Sequence, residues 1–182
     1  MDALTFLLER RSCAKLEAPG PMGDELGAIL RAGMQVPDFQ CLRPWEFIVA
    51  TGDGRDRLGE MLQQAAVAGG EPDEVIERAL RMPLRAPVVI VVVSRFKPHP
   101  VVHKLEQQLS AGCAVMAMQM AALALGFSGI WRSGWPMFNR HLHTALGLGD
   151  EDQIVGFLYL GTAAAPPSPA REINVADHIR EL

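Results

Sequence analysis

Apolar and polar positions along this chain fall into runs of three kinds. The longest extends from Gln107 to Leu125, where Ala, Met, Leu and Gln dominate and no proline interrupts. Gly126 follows where a left-handed stop is wanted, so the run predicts a helix that is apolar nearly all round. Such a helix either lies at the centre of a protein or crosses a membrane. Its many alanines, Gln119 and the lack of a Lys/Arg-rich flank favour burial in protein. One stripe of this helix is thin: Ser110, Ala114, Ala117, Ala121 and Ala124 recur at helical spacing. Small residues in that row suit a closely packed neighbour or a second copy of the helix, or else serve helix propensity alone.

The second kind of run is β-branched. Val88 to Val93 shows no alternation, which places a strand in a sheet covered on both faces. Glu46 to Thr51 and Gln153 to Thr162 predict two more strands. The third kind is amphipathic. Leu4, Phe6, Leu7 and Leu8 follow a capping Asp2, and Leu26, Ile29 and Leu30 mark one face of a helix from Gly23 to Ala32. Further helices are predicted over Arg55–Ala68, from Asp73 to about Met82, and over Asn139–Leu146. Pro37 and Pro44 make the passage after Gly33 irregular, Arg95 to Lys104 is a polar loop or lid, and Gly129 to Gly134 is a turn. The order of these elements is not a strict strand-helix-strand repeat. The expected class is therefore α+β, a mixed or antiparallel central sheet surrounded by helices, formed by residues 1–182 as one domain with 163–182 as an extended C-terminal segment.

Composition narrows the function. The 182 residues are 49% hydrophobic with a net charge of −4, which leaves no concentrated basic face for nucleic acid. The N-terminal run, with Asp2 and charges soon after it, is unlike a secretion signal, and three scattered cysteines fit reduced thiols, so a cytoplasmic protein without a membrane anchor is expected. His99 with His103 and His141 with His143 raise the possibility of a metal, but no paired cysteine or carboxylate pattern accompanies either, and solvated histidines are the simpler reading. There is no Gly-rich dinucleotide loop, phosphate-binding Lys-Ser/Thr motif or G-x-S-x-G elbow. Arg10-Arg11-Ser12, after an apolar anchor, offers forked cationic donors and a hydroxyl to a phosphate or a polar ring edge; the same triplet also suits a solvated helix C-terminus.

Several stretches together carry a resemblance: Arg10-Arg11-Ser12, Ala32-Gly33 with Pro37-Asp38 and Pro44-Trp45, the Ser110–Gly126 helix, Gly129-Ile130-Trp131-Arg132-Ser133-Gly134, and Ile154 through Gly161. In this order, and over almost the whole chain, they resemble the FMN-dependent nitroreductase superfamily, most closely its short bacterial members. The resemblance implies a nitroreductase-like fold and a homodimer with FMN at the subunit interface. The flavin would be reduced by NAD(P)H and reoxidised by nitroaromatics, quinones or related acceptors. It further implies that Arg10, Arg11 and Ser12 bind the FMN phosphate and ring edge, that Gln35 and Phe39 approach from the other subunit, that Trp131, Arg132 and Ser133 line the ring, and that Arg171 stands near the phosphate. The thin stripe of the long helix would then serve dimer packing. Relatives carry histidine where this chain has Phe39, and a basic residue where it has Gln35; phenylalanine can stack or exclude water but cannot hydrogen-bond.

Because the flavin carries the electrons, the resemblance requires no catalytic acid-base dyad. The alternatives are an FMN-binding protein without turnover and a metal or thiol enzyme using the histidines or Cys113. No motif for a ribose carboxylate or a fixed 2′-phosphate clamp is visible, so weak discrimination between NADH and NADPH is expected. Arg95, Lys97 and Lys104 of the polar loop are the cations that would lend NADPH a modest advantage.

Overall fold

A computed structural model of the chain describes residues 2–166 and 173–182. Five strands form the sheet: β1 (Leu16–Glu17), β2 (Trp45–Thr51), β3 (Val88–Ser94), β4 (Ser128–Arg132) and β5 (Gln153–Ala163). The order is β1-β5-β3-β2, with β4 also paired to β5, and every pairing is antiparallel. Around the sheet lie α1 (Ala3–Glu9), α2 (Gly23–Gly33), α3 (Asp53–Ala68), α4 (Asp73–Ala79), α5 (Lys104–Ala124) and α6 (Arg140–Ala145). The class is α+β, and the sheet is antiparallel rather than mixed.

The unbroken valine run is explained by two cores. Val89, Val91 and Val93 pack with Leu58, Leu62, Phe157 and Tyr159 on one face of the sheet. Val88, Ile90 and Val92 pack with Ile29, Val115, Met118 and Leu158 on the other. Every residue of β3 is buried, so neither face of the strand calls for polar residues.

The long helix α5 begins at Lys104, earlier than its apolar pattern, because Glu106 reaches back to accept from the His103 backbone N–H at 2.7 Å. Its row of small residues is used largely within the chain. Ser110 Oγ donates to Pro37 O at 2.8 Å, Ala114 is fully buried, and Ala121 packs on the core that holds Ile29 of α2. The exposed apolar row of α5 is a different one, Leu105, Leu109, Cys113 and Met116.

Other expectations are corrected by long-range pairing. Gly129–Gly134 is not a turn: through Arg132 it is the strand β4, which the facing backbone of β5 holds extended despite its glycine and serine content. The helix after Asp73 stops at Ala79, and Pro83–Arg85 forms a separate 3-10 turn. The polar segment Arg95–Lys104 is tied down. Phe96 N donates to Asp152 Oδ1 at 2.9 Å, Lys97 exchanges two hydrogen bonds with the Gln107 amide, and Lys97 Nζ donates to Leu42 O.

His143 is buried on α6. The tautomer protonated at Nε2 satisfies both of its contacts, donating to Met137 O at 2.9 Å and accepting at Nδ1 from Arg140 at 2.7 Å. Burial holds its pKa below the ordinary 6.5, and the neighbouring Arg140 charge adds to this against the Met137 hydrogen bond. The unfolded chain therefore binds more protons just below pH 6.5 than the folded one, so stability is complete above that value and declines as pH falls through it. Thermal unfolding compared at about pH 7.5 and about pH 5.5 should show a larger drop for the wild type than for His143→Gln. Equal drops would remove His143 from the acid sensitivity.

Candidate functional site

The first side of the site is the end of α1. Asp2 caps this helix, its Oδ1 accepting from Leu4 N and Thr5 N at 3.1 Å each, and Arg10 leaves it with an extended ψ. Arg11 folds back over the helix C-terminus and donates from Nη1 to Arg10 O at 2.7 Å and Leu8 O at 3.1 Å. Its Nε is buried without a partner among the described residues. Arg10 Nη1 stands 3.4 Å from Ser12 Oγ. Phe6, Glu9, Arg10, Arg11, Cys13 and Ser128 surround a cavity of about 180 Å³ here.

One backbone contact joins this cavity to the rest of the site. Cys13 N donates to Gly129 O at 3.0 Å, and the same oxygen accepts from Gln119 Nε2 of α5 at 3.0 Å. Residues 10–13 are thereby fixed beside the start of β4. Gly129 has no room for a side chain, since a Cβ would stand 2.7 Å from Leu160 and 2.9 Å from Tyr159 O.

From Gly129 the strand alternates. Trp131 lies on the α5 side, where Nε1 donates to Val155 O at 3.2 Å and the ring covers Gly156 so closely that a Cβ there would collide with the indole. Arg132 lies on the opposite side, with its guanidinium 5.5 Å from the centre of the Tyr159 ring. The side chains of Trp131 and Arg132 thus face different surfaces, which a reading of 129–134 as a turn does not separate. Beyond them Ser133 is exposed, and Gly134 adopts φ +125, a conformation that favours glycine.

The Arg132 side opens into a cleft of about 440 Å³ between α4, the Pro83–Arg85 turn and the end of β4. Two buried donors, Arg132 Nε and Trp135 Nε1, face no partner among the described residues here. Burial raises the pKa of the Tyr159 phenol above 10.0, against the lowering effect of Arg132 and Arg85.

Gln35 and Phe39 stand elsewhere on the chain. Gln35 is exposed just past α2, and Phe39, 56% exposed, sits in a 3-10 turn followed by positive φ at Gln40, Cys41 and Arg43. Phe39 borders a cavity of about 220 Å³ with Leu109, Ser110 and Cys113 of α5. Leu109 and Cys113 also border the outer face of Trp131, so the exposed row of α5 runs between Phe39 and Trp131. Arg171 lies outside the described residues.

One histidine of each pair is held by hydrogen bonds: His99 Nδ1 accepts from Val101 N and Val102 N, and His143 is held as above, while His103 and His141 are exposed. Among the described residues no three His, Cys, Asp or Glu side chains gather as a metal site, and no helix is long and apolar enough to cross a membrane. Sequence reasoning missed Arg78 and Arg85, which the fold brings to Arg132 from α4 and the turn after it, because no periodicity links them to β4.

Comparison with known proteins then settles the family. The profile of the Nitroreductase family matches residues 7–162. The chain belongs to the nitroreductase family. It is 49% identical over 177 residues to an Escherichia coli K12 protein named "Putative NAD(P)H nitroreductase YdjA", covering 97% of this chain and 96% of that one. A Haemophilus influenzae relative described in the same terms is 37% identical over 178 residues, with the same coverage. The crystal structure of a nitroreductase-like family protein from Bacillus cereus superimposes with a TM-score of 0.85 at 22% identity, covering 100% of this chain and 96% of the other. That of a nitroreductase with bound FMN from Bacteroides fragilis superimposes with a TM-score of 0.74 at 22% identity, covering 100% of both. These structures show the shared nitroreductase fold.

The position of Trp131 in this nitroreductase family member depends on Gly156. Gly156→Ala should displace the indole and cost about 1–3 kcal/mol of stability by overpacking. Chemical denaturation followed at the tryptophans would measure both effects, and a variant of unchanged stability and emission would mean that the ring moves freely.

Proposed function

We propose that this chain is an FMN-dependent oxidoreductase that takes electrons from NAD(P)H and delivers them to nitroaromatic, quinone or related acceptors. The observation that carries the reading is the Cys13 N to Gly129 O bond, which sets the Arg10–Ser12 segment beside the start of β4, the strand that leads to Trp131, Arg132 and Ser133. The 49% identical relative, with NAD(P)H nitroreductase in its name, supports the choice of reaction.

The residues present fit the cofactor. Arg10, the unpartnered Arg11 Nε and Ser12 are donors at one end, suited to a phosphate. Arg132 and Ser133 border the other end, suited to a ring with an electron-rich edge, with Trp131 on the opposite face of the same strand, and the exposed residues Ser133-Gly134 admit close approach. FMN supplies the two-electron chemistry when bound; the chain binds it, orients it and favours negative charge beside it through Arg132. Arg171 is the third phosphate contact in this reading.

The same reading makes the protein a homodimer, with Gln35 and Phe39 of one subunit approaching the flavin of the other. Leu105, Leu109, Cys113 and Met116 present an apolar row to solvent, and Trp131, 41% exposed, borders it. A second copy covering that row would bring Phe39, at its other border, close to a neighbouring site. Phe39 then excludes water from the acceptor instead of hydrogen-bonding to it.

Three measurements test this. The purified protein should carry flavin absorption that NAD(P)H bleaches without oxygen; a colourless protein that gains neither colour nor thermal stability from FMN refutes the cofactor, and flavin that never bleaches refutes the turnover. Arg10→Ala, Arg11→Ala and Arg171→Ala should each weaken FMN by about 1.5–3 kcal/mol, tenfold or more in dissociation constant, and unchanged affinity in all three removes the phosphate assignment. Leu109→Glu should lower the dimer fraction and FMN content together in light scattering and absorbance. A clean monomer fully loaded with FMN contradicts the shared site.

A further inference from the structure

Three arginines from three elements face the 440 Å³ cleft: Arg78 of α4, Arg85 of the turn before β3, and Arg132 at the end of β4. Among the described residues no carboxylate lines it. No guanidinium of the three is in an ion pair or a hydrogen bond with another described residue, whereas Arg95 pairs with Glu46 and Asp152, Lys104 with Glu151, and Lys97 with Leu42 O. Arg95, Lys97 and Lys104, the cations that sequence reasoning offered to the extra phosphate of NADPH, are thus occupied within the fold, and these are not. Arg78 and Arg85 are exposed at the mouth, while Arg132 Nε and the indole N–H of Trp135 are buried deeper without acceptors. A cleft lined by donors without a matching acceptor among the described residues, walled by Trp135 and Tyr159, is complementary to an oxyanion on a planar ligand. In a chain of net charge −4 such a local excess of cations also concentrates anions at one place.

We propose that Arg78 and Arg85, with Arg132 behind them, form an oxyanion site for the ligands that visit the flavin, taking a carboxylate of an aromatic acceptor or a phosphate of the nicotinamide donor. The inference rests on the proposed function for what stands beside the cleft. Arg132 is shared between the two roles; Arg78 and Arg85 belong to the visiting ligand. Their forked guanidinium groups hold either anion with paired hydrogen bonds, and their exposure makes the attraction sensitive to salt.

Calorimetric titration of the purified, FMN-loaded protein tests the site with two matched pairs. In the first, 4-nitrobenzoate is compared with the neutral 4-nitrobenzamide; in the second, 2′,5′-ADP with 5′-AMP. At least one anionic member should bind roughly tenfold more tightly than its partner, and the pair that does so identifies the source of the anion. The preference should shrink with added salt, vanish in the Arg78→Ala/Arg85→Ala double variant and return in part with lysine at both positions. Equal binding within both pairs, or a preference that survives the double variant, overturns the proposal. So does a double variant that loses its FMN as completely as Arg10→Ala, because the two arginines would then serve the cofactor. A wild type that holds no flavin at all defeats the functional reading instead, and the two pairs titrated into that protein still decide whether the cleft selects anions.

Discussion

A strand whose two edges are hydrogen-bonded and whose two faces are buried cannot slide, because a one-residue slip exchanges every side chain between the faces. β5 is that strand here. Along one edge it pairs with β3 from Gln153 to Leu160, and along the other it pairs with β4 and then β1. Its residues from Ile154 to Gly161 are all buried. The site hangs on this register. Trp131 opposes Leu158 and Arg132 opposes Phe157, so fixing β5 in the core fixes which way each site side chain projects from the edge strand.

Gly156 and Gly129 are the places where this constraint meets the site. An edge strand can carry a residue as large as Trp131 flat against the sheet only where the strand beneath offers no side chain, and Gly156 is that vacancy. Gly129 performs the converse service, letting β4 lie close enough to β5 for its carbonyl to receive both Cys13 and Gln119. The segment that follows the N-terminal cations, the long helix and the edge strand therefore converge on one oxygen atom, although their residues are far apart in sequence.

Much of the fold was legible because its strongest signals are local. A continuous β-branched run from Val88, an apolar alanine-rich run ending at Gly126, and Asp2 before Leu4 each found its element within a few residues. Legibility failed where distant pairing overrules composition. Gly129 to Gly134 has the residues of a turn, yet pairing of Gly129 through Arg132 with Leu160 through Phe157 of β5 draws its first part into a strand. The two-residue β1 has too little pattern of its own to be seen. The row of alanines on α5 was visible, but its partner was not: helical spacing says which residues share a face, and only packing says that Ser110 and Ala114 turn inward while Leu105 and Leu109 turn outward.

The site was legible in the same uneven way. Arg10, Arg11 and Ser12 stand next to the start of β4, while Trp131 and Arg132 divide between two surfaces because adjacent residues of a strand must. The electrostatic half of the site was hidden for a more general reason. Charge in a sequence is only a count, and its meaning depends on which charges find partners. Arg95 and Lys104 lie in a segment that looked free, but Asp152 and Glu151 return from elsewhere in the chain to neutralise them. Arg78 and Arg85 look like ordinary surface cations of a short helix and a turn, and they acquire significance only because β4 delivers Arg132 to the same cleft without a carboxylate. Arg132 Nε and Trp135 Nε1 are buried beside them without an acceptor among the described residues, so a guest rich in acceptors would meet donors that the fold itself leaves unused there.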